Sequence, residues 1–92
     1  MLEKIKLALR ISTDAFDTEL NQLKQAAFLD LGIAGVEEDV LTEGADAIVI
    51  QAVITYCKMN FGLPDDYDRL KRSYDEQKAQ LVTATGYTDW LV

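Results

Sequence analysis

The sequence predicts an all-α protein: a small bundle of four helices with a central apolar helix, a long loop between helices two and three, and a C-terminal tail. Three observations predict it. Phe16, Leu20, Leu23, Ala27 and Leu31 recur at steps of four and three, the spacing of one helix face. The stretch from Ala45 to Phe61 is apolar on nearly every side and, at seventeen residues, too long for an ordinary strand. Beyond Pro64, Tyr67, Leu70, Tyr74 and Leu81 form a second helical stripe, bridged by Gln77 or the stem of Lys78.

Residues 2–11, LEKIKLALRI, carry a double signal. Leu2, Ile5 and Leu9 fall at helical spacing, while Ile5, Leu7, Leu9 and Ile11 alternate as in a strand. Leu, Ala, Lys and Glu favour helix and no partner strand is apparent, so the expectation is a short first helix.

The second helix is introduced by Ser12, Thr13 and Asp14, all good N-cap types. Asp14, Asp17 and Glu19 place negative charge at its positive dipole end. Gly32 is the expected C-terminal stop. Residues 32–46 then hold three of the five glycines and five acids. They predict a long solvated loop with one helical turn around Asp39–Thr42. A calcium loop is the sharper alternative, but the acids miss the EF-hand positions and Gly44 is misplaced for one.

The third helix is expected over Ala45–Phe61, ended by Gly62. Its apolar run lies between Asp46 and Lys58, about half of the ~20 residues a membrane span needs. A helix apolar all round must be covered all round, which makes this the core helix, wrapped by helices two and four. Pro64 is placed at the first position of the fourth helix, with Asp65, Asp66 and Asp68 in its first turn. Asp65/Arg69 and Asp68/Arg72 are spaced to pair at i,i+4. Arg69, Lys71, Arg72 and Lys78 interleave with acids, as on a solvated salt-bridged face or a charged contact with a neighbouring subunit.

Ninety-two residues predict one domain, residues 1–92, divided into a helical core (1–82) and a tail (83–92). A chain this short buries a modest share of its surface, and with one cysteine and no histidine it has neither disulfides nor a Cys/His metal site to compensate. Size alone thus leaves oligomerisation open as one source of stability. The net charge of −7 argues against a nucleic-acid-binding module. MLEKIKLALR is not read as a signal peptide, because Glu3 interrupts its lysines and no long apolar run follows.

No catalytic constellation is legible. There is no imidazole base, no phosphate-binding glycine loop, and Cys57 sits among apolar neighbours as a small buried hydrophobe. Asp65 and Asp66 read as helix-start charge rather than an acid/base pair. In the tail, Tyr87, Asp89, Trp90, Leu91 and Val92 either fold back on the bundle or dock on a partner, where aromatic anchors dominate binding.

The order of these features resembles the small head–tail connector, or DNA-packaging adaptor, proteins of tailed bacteriophages and prophages. LEKIKLALRI precedes a Thr/Asp-rich helix start. LNQLKQAAFLDLGIAGV is similar to the family's second helix, with Ala26 and Ala27 paired and an exit at Ile33 to Gly35. AIVIQAVITYCKMNFG is similar to its central helix, ending in Asn60–Gly62, and DRLKRSYDEQKAQL to its last long helix. The likeness spans about residues 2–82; the acidic loop and the tail do not contribute to it.

The resemblance implies a structural virion protein without enzymatic activity or cofactor. It implies a homo-oligomeric ring at the head–tail junction, assembled in the host cytoplasm. Such a ring attaches to the portal protein after packaging, extends the DNA channel and receives the next head-completion or tail protein. DNA would pass without specific binding, and no membrane is involved. The tail residues Tyr87, Asp89, Trp90 and Leu91 are the candidate partner contact. Arg69, Arg72, Asp68 and Lys78 on helix four, with the helix-two surface, are the candidate subunit interface. Two other classes stand beside this: an acidic helical regulatory module that binds a basic protein, and a small subunit of an enzyme whose activity resides in another chain.

Overall fold

The longest apolar run of the sequence becomes the axis around which the rest packs. The computed structural model describes residues 1–83 of the chain. Among them the helices are α1 (Leu2–Leu9), α2 (Asp17–Ala34), α3 (Ala47–Asn60) and α4 (Tyr67–Thr83), with one 3-10 turn at Glu38–Val40. The described residues contain no strand. The all-α expectation therefore holds: in the apparent strand alternation Ile5, Leu7 and Leu9 belong to α1 and Ile11 lies just past its left-handed end.

α3 packs most extensively on α4, then on α2, then on α1. Val49, Ala52, Val53 and Cys57 are fully buried, and Ile50, Ile54 and Met59 nearly so. α2 supplies Leu20, Ala27 and Leu31 to this core, α4 supplies Leu70, Tyr74 and Leu81, and α1 supplies Ile5. Each large side chain so buried contributes about 1.5–3 kcal/mol of apolar transfer. The covering of α3 is thus shared by three helices rather than two.

The helix ends differ from the sequence expectation, for local reasons. α1 stops at Leu9 because Arg10 turns left-handed (φ 59°), and the N–H of Ile11 closes on the Lys6 carbonyl at 2.9 Å. α2 begins at Asp17, later than its cap-like residues suggest, with Phe16 in the cap position. Asp14 is diverted to Lys6, and Thr13 accepts the Ala15 N–H at 3.2 Å, so neither caps the helix. Phe16 instead packs edge-on against Phe61 at 5.3 Å, pinning the start of α2 to the end of α3.

α2 also runs past Gly32. The left-handed stop is Gly35 (φ 115°), whose N–H bonds to the Gly32 carbonyl while Val36 N–H bonds to Leu31. Val36 is buried, and its seat in the core decides where the helix ends. The helical turn in the following loop falls at Glu38–Val40, slightly earlier than expected.

α3 ends where expected, with Gly62 left-handed (φ 70°). Pro64 is not a helical residue: α4 starts three positions later, at Tyr67. Asp65 consequently lies outside the helix and has no i,i+4 geometry to Arg69. Arg69 pairs with Asp66 instead, and Lys71 pairs with Asp75 at 2.9 Å. Leu70, Tyr74 and Leu81 form the buried stripe of α4 as anticipated, while Tyr67 remains partly exposed.

Candidate interaction surfaces

Three polar anchors set the outer shape of the bundle. Between α2 and α4, the Tyr74 phenol donates to Asp30 at 2.5 Å and the Lys78 ammonium donates to the same carboxylate at 3.2 Å. Lys78 also lies 5.2 Å from the centre of the Tyr74 ring, which makes an edge contact with the Tyr56 ring at 5.4 Å between centroids. Burial pushes the Asp30 pKa up, but the hydrogen bonds from Tyr74 and Lys78 prevail and hold it below its ordinary value. Burial, and then the bond to Asp30, push the Tyr74 phenol well above its ordinary value.

The second anchor ties the acidic loop to the bundle. The largely buried Lys24 reaches Glu43 at 2.7 Å, and the Met1 α-amino group approaches the same carboxylate at 3.5 Å. The Lys24 hydrogen bond keeps Glu43 below its ordinary pKa. The third anchor is Lys6, whose ammonium lies 2.9 Å from both Asp14 and Asp17. It draws the linker between α1 and α2 onto the bundle.

The residues singled out on helix four do not form one patch. Asp68, Arg69 and Arg72 are exposed on the outer side of α4. Lys78 is nine residues from Arg69, which at about 100° per residue puts it on the opposite side of the helix. There it is occupied by Asp30. Tyr87, Asp89, Trp90 and Leu91 lie outside the described residues.

Exposed apolar surface occurs mainly elsewhere. On α2, Leu29 is 69% and Ile33 87% exposed. They border a groove of about 580 Å³ between the second half of α2 and the following loop, with Phe28, Gly32, Val36 and Leu41 as further walls and Glu38 as its one charged residue. The groove continues toward the start of α2 through the uncharged Gln25, Ala26, Gln22 and Thr18. A second, separate hollow has Leu7 of α1, 80% exposed, on its border, with Ala8, Ala47 and the nearly buried Ile50 and Ile54 beneath it and Lys4 as its one charge.

These residues carried a signal in the sequence that the helical stripes obscured. Leu29 and Ile33 are apolar but fall off the Phe16-to-Leu31 stripe, and Leu7 falls off the Leu2–Ile5–Leu9 spacing. Large aliphatic residues off the core stripe are what an exposed contact face leaves behind.

A family model described as phage connector protein matches residues 1–88. The chain belongs to the phage connector protein family. No curated protein and no solved structure matches it. The match covers every described helix, so the four-helix bundle is the body of a phage connector and its role is a structural one in the phage particle.

The chemistry of this connector fits surface-to-surface contact. Cys57 is enclosed in α3, and burial pushes its thiol up to about 12, far from a thiolate nucleophile. No helix among the described residues is long and apolar enough to cross a membrane. The described acids do not gather into a group that could hold a metal ion. What the bundle offers is two nearly charge-free surfaces, one on α2 and one on α1 and α3, on a molecule of net charge −7.

Proposed function

We propose that this connector is one subunit of a closed homo-oligomeric ring that attaches to the portal after DNA packaging, extends the DNA channel and joins head to tail. The observation that carries this reading is the family match over residues 1–88, nearly the whole chain. The subunit is small, has one buried cysteine and leaves large aliphatic side chains in water, as a protein completed by its neighbours does. Its partners are further copies of itself, the portal protein, and the next head-completion or tail protein. It works in the virion, at the head–tail junction, after assembly in the host cytoplasm, without enzymatic activity.

A closed ring uses head-to-tail contacts, so each subunit needs two different adhesive faces. Asp68, Arg69 and Arg72 supply a charged rim to such a contact. Lys78 serves it indirectly by holding α4 to α2 through Asp30. Tyr87, Asp89, Trp90 and Leu91 supply the portal contact. The net charge of −7 suits a channel through which a polyanion must pass without sticking. An assembled ring with a lumen lined mainly by lysine and arginine would contradict that part.

Truncation tests the portal contact. Removing residues 86–92 is expected to preserve the cooperative thermal transition and weaken association with the portal protein. Loss of the transition would instead assign the tail to the core of the subunit.

A further inference from the structure

We propose that the α2 groove of one subunit receives the Leu7 surface of a second copy, and that this contact is the repeating interface between connector subunits. The inference deepens the ring reading and rests on it.

The two surfaces have no lining residue in common, as a head-to-tail contact requires. Both are hollows: the first offers Leu29, Ile33 and Leu41, and the second carries on its border Leu7, 80% exposed on the short helix α1, as the side chain to be inserted. Their charges are opposite and single: Glu38 in the groove, Lys4 beside Leu7. Neither side chain makes an ion pair with another described residue. Two subunits of charge −7 repel each other over most of their surfaces, so the low-cost approach joins the two patches that carry almost no charge.

Ala8 ties this contact to the charged ridge of α4. It lines the Leu7 surface and also an adjoining hollow bordered by Lys58, Asp66 and Arg69. The apolar centre thus has a charged rim beside it, the ordinary anatomy of a protein interface.

The test uses the full 92-residue chain, with native mass and electron microscopy, alone over a concentration range and on purified portal protein. Leu7→Asp and Ile33→Asp change exposed residues, and an unchanged thermal transition checks that each variant folds. Each is expected to raise the concentration for half-assembly by about 30-fold or more, the loss of one interface anchor. Mixed one to one, the variants are expected to form heterodimers and nothing larger, because each retains one intact face. Lys4→Glu weakens assembly, and Glu38→Lys in the same chain restores it.

If the wild type forms rings and both variants form them equally well, the interface lies elsewhere and the inference falls while the ring reading stands. If Leu7→Asp alone still forms dimers, the groove pairs with itself, which also overturns the inference. If removing residues 84–92 and Ile33→Asp each abolish assembly of the free chain while Leu7→Asp does not, the groove holds the tail instead and the inference is overturned. A wild type that stays monomeric both alone and on the portal overturns the inference and the ring reading together.

Discussion

The Tyr74 phenol on α4 donates a 2.5 Å hydrogen bond to the Asp30 carboxylate on α2, joining two helices that otherwise meet mainly through α3. Tyr74 is 2% exposed, so its hydroxyl has little water to turn to. Tyr74→Phe is expected to cost about 1.5 kcal/mol, the lower end for a hydrogen bond to a charged group because Asp30 is partly exposed. Asp30→Ala is expected to cost more, since it leaves both the phenol and Lys78 without their acceptor. Chemical denaturation of the two variants checks the order.

The same pair predicts a window of pH. The folded pKa of Asp30 is lowered, so its contribution is present above the unfolded value near 3.8 and is lost as pH falls through the folded value. The folded pKa of Tyr74 is raised, so its contribution is present below the unfolded value near 10.0 and is lost as pH rises toward the folded one. Stability should therefore decline on both flanks. Asp30→Asn should flatten the acid flank and Tyr74→Phe the alkaline one, as read from thermal midpoints against pH.

Two glycines only three residues apart should respond in opposite directions. Gly35 sits at φ 115°, a conformation that costs a residue with a Cβ about 1–2 kcal/mol. Gly35→Ala should destabilise by that amount even though its Cβ would meet Val82 at an ordinary 3.9 Å. Gly32 is helical and a Cβ there would meet Leu41 at 3.8 Å. Gly32→Ala should stabilise by about 0.5–1 kcal/mol. Equal effects of one sign would show that α2 does not end at Gly35.

This glycine pair also shows how much was legible in the sequence. Helix number, order and core stripes followed from periodicity, because burial enforces spacing directly. The ends did not. Gly32 looks like a stop, but a helix ends where the next apolar residue finds its seat, and Val36 is seated in a core assembled from all four helices. Asp14 has the chemistry of a cap, yet Lys6 claims it from eight residues away. Pro64 resembles a helix start because proline fits the first helical position, but it fits the turn before a helix equally well, and α4 begins at Tyr67. The interface on α4 followed charge, whereas Leu7, Leu29 and Ile33, three of the four large exposed aliphatic residues among those described (the fourth is Leu63, in the turn before α4), became visible only once the core stripes had been assigned to the inside.

Cys57 gives a direct readout of the α3 core. Its thiol is fully buried and pushed up to about 12, so it is expected to resist iodoacetamide at pH 8 in the native protein. Labelling should rise with denaturant along the global unfolding curve. Rapid labelling without denaturant would mean that α3 is not enclosed.

The central claim is that this connector works as a ring on the portal. Electron microscopy of the full chain mixed with its purified portal protein tests it most directly. The expected image is an additional closed ring of repeated subunits, coaxial with the portal channel. A bare portal at saturating connector concentration, or isolated copies scattered around its rim, would contradict the account.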